Sequence, residues 1–521
     1  MASPTESNDP LHAARPATCT ALVRRLPLAE AAEPIALHAA TRAHGRVLLA
    51  TAANPTSPLP HARKSLVVTR ALVRLTVRDD HANLTALEPA AQPLLGDRPS
   101  LRVTIPPTIA RTGRSDVEVL TEPSLFDLPR RLLALLSDRD PRTPLPIGVF
   151  GAFAYELVDR FEAIGPRRDD PLDDPDLDLV LATDFVEYDH AVGHVTVVTR
   201  GLPWERQSEL HARHARTLEV LHGASLPPMV DVGRNSAPCD RPSVAADPAF
   251  VAAVVRLQAH IGAGDIFQAV LSRGVTRPVR SDSIEIFRHL AAREAAPYMF
   301  HLELEHGALL GASPETFLRV RDGIVEIKPI AGTTARDTDP DTDDRLALAM
   351  LFDPKERAEH VMLLDLARND IARVSVAGTT LVAEQFVVEK YRSVQHLVSR
   401  VQGRLREGLD ALHAYRAAAN MGTLTGAPKP RAMELVRALE STARGFYGGA
   451  VGYLLADGSF DSAIAIRSLR VKDGIAHARA GAGIVWHSDP RREWIETERK
   501  LATVLAAVES SEATHAEATS A

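Results

Sequence analysis

Two long stretches alternate apolar and polar residues with the two-residue period of a strand: SLVVTRALVRLTV at 65–77 and DLVLATDFVEYD at 178–189. Strands of this kind need a sheet around them and something to cover its apolar face. The second half of the chain supplies both. Asp247-Pro248 reads as a helix start, with Asp as cap and Pro at the first helical position. Val251, Val254, Val255 and Ile261 then mark one helical face, and Gly262-Ala263-Gly264 ends it. DIFQAVLSRGV at 265–275 is strand-like, GIVEIKPIAG at 323–332 is extended, and DPKERAEHVMLLDLARNDI at 353–371 has helical spacing. A hairpin is expected around Asp457-Gly458, and an amphipathic helix over PRREWIETERKLATVLAAVE at 490–509. The mixture points to α+β with a large antiparallel sheet, not to a regular βαβ series.

Polar, low-complexity ends are expected as tails over 1–18 and 509–521, and 222–246, rich in Pro, Ser and Gly, as a linker. That divides the chain into an N-terminal domain, 19–221, and a catalytic domain, 247–508. A formal charge of −7 disfavours nucleic acid as a partner. No stretch approaches the ~20 apolar residues of a membrane span, and no signal peptide is evident, so a cytoplasmic protein is expected. The two cysteines, Cys19 and Cys239, are far apart and in polar surroundings, which speaks against a disulfide framework.

Two carboxylate pairs carry the first chemical signal. Glu356 and Glu359, and Glu493 and Glu496, are spaced three apart, so each pair shares one helical face. Each alone suits a solvated helix surface; brought together they offer oxygen donors to a hard cation such as Mg²⁺. PIAGT at 329–333, MGTLTGAPK at 421–429 and AGAGI at 480–484 permit close backbone approach, but none has a phosphate-loop register. Arg467 interrupts the apolar strand AIAIRSLRV and is either set against a protein carboxylate or aimed at one on a ligand; Tyr447 could donate a hydrogen bond beside it.

Taken together, LDALHAYRAAANMGTLTGAPKPRAMELV (409–436), PYMF (297–300), GASPE (311–315), PIAGT, EHVMLLDLARND (359–370), YGGAVGY (447–453) and EWIETERK (493–500) closely resemble the large subunits of anthranilate synthases. The likeness is dense over 247–508. It is thinner earlier, in KSLVV (64–68) and FGAFAYELVDRFE (150–162). It implies a chorismate-binding fold of layered antiparallel sheets with surrounding helices, and a magnesium-dependent lyase that turns chorismate and ammonia into anthranilate and pyruvate, the first step of tryptophan biosynthesis. The resemblance implies Glu359 and Glu496 as direct Mg²⁺ ligands, supported by Glu356 and Glu493. Chorismate would meet Gly332, Thr333, Tyr447, Arg467, the backbone of Gly481, Ala482 and Gly483, and Lys500. Glu315 would act as general acid, with His396 and Thr423 serving the elimination of pyruvate.

Related enzymes that add water carry a lysine base where this chain has Gln268, and those that use a lysine nucleophile read PIKGT where this chain has Ala331. An amide is no base near neutrality, so addition of water is disfavoured. The nearest rival is an aminodeoxyisochorismate synthase, which stops before pyruvate is lost; a non-catalytic regulatory subunit is a second. Neither cysteine has the context of a glutaminase nucleophile, so a separate glutamine amidotransferase subunit is expected to supply ammonia, in a heterotetramer of two of each. The family's tryptophan feedback site combines an LLES and an NPSPYM segment. Here LLAT (48–51) and EAAPYM (294–299) keep Thr51, Pro297, Tyr298 and Met299 but depart at Ala50, Glu294, Ala295 and Ala296. An L-tryptophan site of altered affinity is expected there.

Overall fold

A computed structural model describes residues 16–51, 63–105, 120, 123–229, 246–294, 296–391 and 394–520. Most of the expected tail over 1–18 and most of the linker, 230–245, lie outside them; the end of that tail is corrected, since Ala17 and Thr18 already belong to the strand Ala17–Pro27 and pair with Leu136 and Ser137.

The strand Lys64–Arg78 contains the first alternating stretch, and pairs antiparallel with Leu177–Asp189, which contains the second. Around this pair the fold builds a mixed α+β architecture with a large antiparallel sheet. Among the described strands every pairing is antiparallel except the short parallel one between Ala17–Pro27 and Leu136–Asp138. Strands from before and after the linker alternate within the sheet: Val47–Ala50 pairs with Tyr298–Glu303, and Gly148–Phe153 with Ala450–Leu455. One apolar core likewise draws on both segments, with Phe126 and Phe153 packed around the Tyr415 ring beside Phe317 and Phe460. Each segment therefore completes apolar surface that the other leaves open.

Helices cover the sheet where apolar stripes allow. Asp247 caps Pro248–Gly262 by accepting from the Ala249 amide at 2.9 Å, and Phe250, Ala253, Val254 and Leu257 form the buried stripe. Val255, expected on that stripe, is exposed. The hairpin about Asp457-Gly458 forms between Ala450–Leu455 and Phe460–Ile464, with Gly458 in the left-handed region at φ 84°.

The expected tail over 509–521 is corrected: the last helix runs unbroken over Pro490–Ser520. Ser510 and Ser511 are buried, and Glu512 Oε1 accepts from the Arg280 amide and from the amide and hydroxyl of Ser281, each at 2.7 Å. A polar composition fails as a tail signal when a neighbouring segment offers unpaired donors. Among the described residues no helix is long and apolar enough to cross a membrane.

Candidate active site

Two helix beginnings bring the carboxylate pairs together. Asp353 caps Pro354–Ala372, accepting from the amides of Lys355 and Glu356 at 2.8 and 3.1 Å. Asp489 does the same for Pro490–Ser520, accepting from the amides of Arg491 and Arg492 at 3.0 and 2.9 Å. Glu356, Glu359, Glu493 and Glu496 all lie in the first two turns, where the helix dipole favours negative charge.

Their electrostatics show the convergence. Burial raises the pKa of Glu359, and Glu356, Glu496 and Glu493 raise it further, against the pull of Lys355. Burial likewise raises Glu356 and Glu493, with Glu496 adding to both. Lys355 sits among all four: burial works against its charge, but Glu359, Glu356, Glu493 and Glu496 outweigh that and hold its pKa above the ordinary lysine value. Its ammonium stands 3.7 Å from Glu359, a residue and a contact that sequence reading missed, although the i, i+4 spacing within KERAE signals it.

Lys500 joins this cluster to the floor of the site. Its ammonium is 2.7 Å from Glu496 and donates to the carbonyl of Gly481 at 2.8 Å. Gly481, Ala482 and Gly483 lie on Ile475–Ile484, paired with Gln268–Pro278. A side chain at Gly481 would come within 3.2 Å of the Tyr447 hydroxyl, and one at Gly483 within 2.6 Å of the Gln268 amide nitrogen. At Gly481 the Leu271 carbonyl, 3.0 Å from such a side chain, adds a backbone contact, whereas at Gly483 the Gln268 side chain would have to turn away. Ala482 is turned into the core.

Glu315 follows the strand Ala308–Ser313 and is buried, which lifts its pKa to about 8; Thr423 and the Lys500 charge pull the other way. No hydrogen bond of good geometry forms between Thr423 and Glu315, and both Thr423 Oγ1 and Glu315 Oε1 are buried without a partner. On the opposite wall, Gly332 has φ 75°, and a side chain there would stand 3.1 Å from Glu356 Oε2. His396, paired in register with Thr333, has Nδ1 2.9 Å from the Thr333 hydroxyl and 3.4 Å from the Gly332 carbonyl. Burial lowers its pKa, with the Gly332 carbonyl opposing and Arg467 assisting. Arg467 also acts on Tyr447. Contacts thus tie Lys500 to Glu496 and Gly481 and His396 to Thr333 and Gly332, while the charges of Arg467 and Lys500 reach Tyr447, His396 and Glu315.

Whether this set suits a divalent cation depends on its donors. Among the described residues, no three His, Cys, Asp or Glu side chains already stand in metal-binding geometry. Ammonium groups of Lys355 and Lys500 contact Glu359 and Glu496 instead. The donor set nevertheless fits Mg²⁺, which takes one or two carboxylates directly and completes its shell with water and substrate oxygen.

A family described as chorismate binding enzyme matches residues 108–506. The chain belongs to the chorismate-binding enzymes. It is similar to anthranilate synthase component 1 of Streptomyces coelicolor, at 43% identity over 71% of this chain and 74% of the relative. It is also similar to that of Escherichia coli, at 38% identity over 85% and 89%. Among solved structures, anthranilate synthase component I of Streptococcus pneumoniae superposes with a TM-score of 0.68 at 28% identity, covering 87% of this chain and 98% of that one. The menaquinone-specific isochorismate synthase of Escherichia coli shares the fold, with a TM-score of 0.65 at 18% identity over 96% and 97%.

Apart from this cluster, this chorismate-binding enzyme has a cavity of about 480 Å³, lined by Leu49, Ala50, Pro297, Tyr298 and Met299 among others. Pro297, Tyr298 and Met299 thus line one cavity together. Thr51 does not line it: Ala50 faces Met299 across the Val47–Ala50 and Tyr298–Glu303 pairing, and the Thr51 amide bonds to the Ser65 hydroxyl at 3.2 Å. Lys64, Arg319 and Asp461 line it as well, and sequence reading did not single them out.

Proposed function

We propose that this chain is the chorismate-converting subunit of an anthranilate synthase, forming anthranilate and pyruvate from chorismate and ammonia. One observation supports this most: Lys500 touches Glu496 and Gly481 and also acts on the buried acid Glu315. One cation thereby links the carboxylate cluster, the glycine floor and a proton donor. Gln268 beside Gly483 leaves an amide where an amine would be needed to activate water.

Glu359 and Glu496 would hold Mg²⁺, with Glu356 and Glu493 in support. The ion would supply charge stabilisation at the ring carboxylate. Arg467 and Lys500 meet the substrate's carboxylates, and the lack of side chains at Gly481 and Gly483 lets the ring approach the backbone of Gly481, Ala482 and Gly483. Glu315, protonated at neutral pH, gives its proton to the C4 hydroxyl as ammonia bonds to C2, and water leaves. His396 then takes part in removing the C2 proton while the bond from C3 to the enolpyruvyl oxygen breaks and pyruvate departs. In the tautomer this step uses, Nδ1 of His396 carries the proton toward the Gly332 carbonyl and the Thr333 hydroxyl, both able to accept it, and Nε2 keeps its lone pair. A lowered pKa keeps that ring neutral and able to accept.

Ammonia comes from a separate glutaminase subunit, in an assembly of two of each chain, with residues 19–221 serving contact and regulation. L-Tryptophan occupies the 480 Å³ cavity: Pro297 and Met299 suit its indole, and Asp461 with Lys64 or Arg319 suits its ammonium and carboxylate. Purified chain with chorismate, Mg²⁺ and ammonium should yield fluorescent anthranilate and equal pyruvate, both abolished by EDTA and by Glu496→Ala. Chorismate loss without pyruvate would identify the amino intermediate as product; no loss by folded protein would leave a regulatory subunit.

A further inference from the structure

Arg467 occupies an unusual place. It has φ 49° between the strands Phe460–Ile464 and Ser468–Lys472, and its carbonyl accepts from the Ala312 amide at 3.1 Å. Non-glycine residues rarely adopt this backbone, and it holds the guanidinium where its charge reaches both Tyr447 and His396. A protein carboxylate already stands there. Glu294 Oε1 is 3.9 Å from Arg467 Nη1.

The two alternatives open for Arg467 from sequence, a protein carboxylate or a ligand's, thus both apply to one guanidinium. Glu294 ends the helix Ser283–Arg293, anchored by its amide on the Leu290 carbonyl at 2.9 Å. Its side chain is turned to Arg467 and does not line the 480 Å³ cavity, although Pro297 and Met299 three to five residues on do so. Resting on the reading that Arg467 receives a carboxylate of chorismate, we propose that Glu294 is an intramolecular competitor for that guanidinium and thereby sets substrate affinity.

A comparison within the molecule supports a displaceable pair. Arg444 is a structural arginine: its Nε and Nη2 donate to both oxygens of Glu440 at 2.9 and 2.7 Å, and both side chains are almost wholly buried. Arg467 makes no such fork. Its side chain keeps 34% exposure and that of Glu294 26%, and their separation exceeds a hydrogen bond. A half-exposed pair at that distance is weak. It can neutralise and orient an empty guanidinium, yet yield to a dianion that brings a second carboxylate and several hydrogen bonds. Because Glu294 can swing only on its own side chain, its departure needs no movement of the helix.

The test measures chorismate KM with ammonium as nitrogen donor, and chorismate Kd without ammonium, for the wild-type chain, Glu294→Gln, Glu294→Asp and Arg467→Ala. Removing the competitor should lower KM and Kd roughly two- to five-fold, the range of a half-exposed ion pair, while kcat moves less. Glu294→Asp keeps the charge but shortens the reach, and should move KM in the same direction. An unchanged or raised KM in Glu294→Gln overturns the competition. So does a wild-type KM in Glu294→Asp beside a lowered one in Glu294→Gln, since charge at a distance would then account for the effect. If Arg467→Ala leaves chorismate affinity intact, the reading of Arg467 as a substrate residue fails instead.

Discussion

A carboxylic acid keeps its proton at neutral pH only when water is withheld from its charged form, and Glu315 meets that condition. It is buried, and its pKa stands at about 8 despite the opposing influence of Thr423 and Lys500. In the proposed role of general acid it is competent only while protonated, so kcat/KM should fall as pH rises through about 8. Glu315→Gln should lower kcat by roughly 10²–10⁴-fold. The same burial has a stability signature of known sign. The carboxyl titrates near 4.5 in the unfolded chain and near 8 in the fold, so its contribution is present below 4.5 and is lost as pH rises through about 8. Relative to wild type, Glu315→Gln should therefore gain thermal stability across that window while losing activity. Melting temperatures taken from pH 5 to 9 decide it, and a difference that stays flat with pH would exclude a buried, proton-retaining Glu315. At this scale the resemblance around GASPE pointed to Glu315 as the acid, but its protonation depends on burial contributed by distant segments. Lys355 shows the converse: its spacing to Glu359 was legible, while its position among four carboxylates required the second helix.

Elements were legible where local chemistry and tertiary demand agree. The Asp247-Pro248 start, the hairpin at Asp457-Gly458 and the two carboxylate helices all carry their own capping or turn residues, so little outside them was needed. The stripe on Pro248–Gly262 was partly misread because Val255 is apolar yet exposed, while Phe250 and Leu257 carry the packing. The C-terminal segment was misread altogether, since its Ser, Thr and Glu residues have no apolar face. Its order comes from Glu512 satisfying the Arg280 and Ser281 donors just ahead of Ser283–Arg293, and from Arg293, which donates to the Ser510 hydroxyl at 2.6 Å. Glu512→Ala should consequently cost about 1–2 kcal/mol, the scale of hydrogen bonds to a charged acceptor at a part-exposed site. Chemical denaturation measures that loss. Chorismate KM and kcat should stay put, and a variant as stable as wild type would mean that the helix end is held by something other than this cap.

Across the whole molecule, the start of the strand Thr316–Arg321 gives a physical route between the two sites. Glu315, the proposed acid, immediately precedes this strand; Thr316, its first residue, is directed to Tyr298. There its hydroxyl is 3.2 Å from that of Tyr298, which also donates to Asp461 at 2.9 Å, and both Tyr298 and Asp461 line the 480 Å³ cavity. Tyr298 in turn pairs in register with Ser313, whose hydroxyl accepts from the Glu315 amide at 3.3 Å. An amino acid entering the cavity must contend with the Tyr298–Asp461 bond, and whatever moves Tyr298 moves the residues on both sides of Glu315. If tryptophan raises the Kd of chorismate by some factor, chorismate must raise that of tryptophan by the same factor. Tyr298→Phe removes the hydroxyl that joins the cavity to Thr316 while keeping the ring that fills its wall. Tryptophan should still bind this variant, but the two reciprocal factors should shrink together toward one, with kcat in the absence of tryptophan little changed. Isothermal titration of each ligand with and without the other gives both factors. Coupling that persists at full strength in Tyr298→Phe and in Thr316→Val would place the route elsewhere.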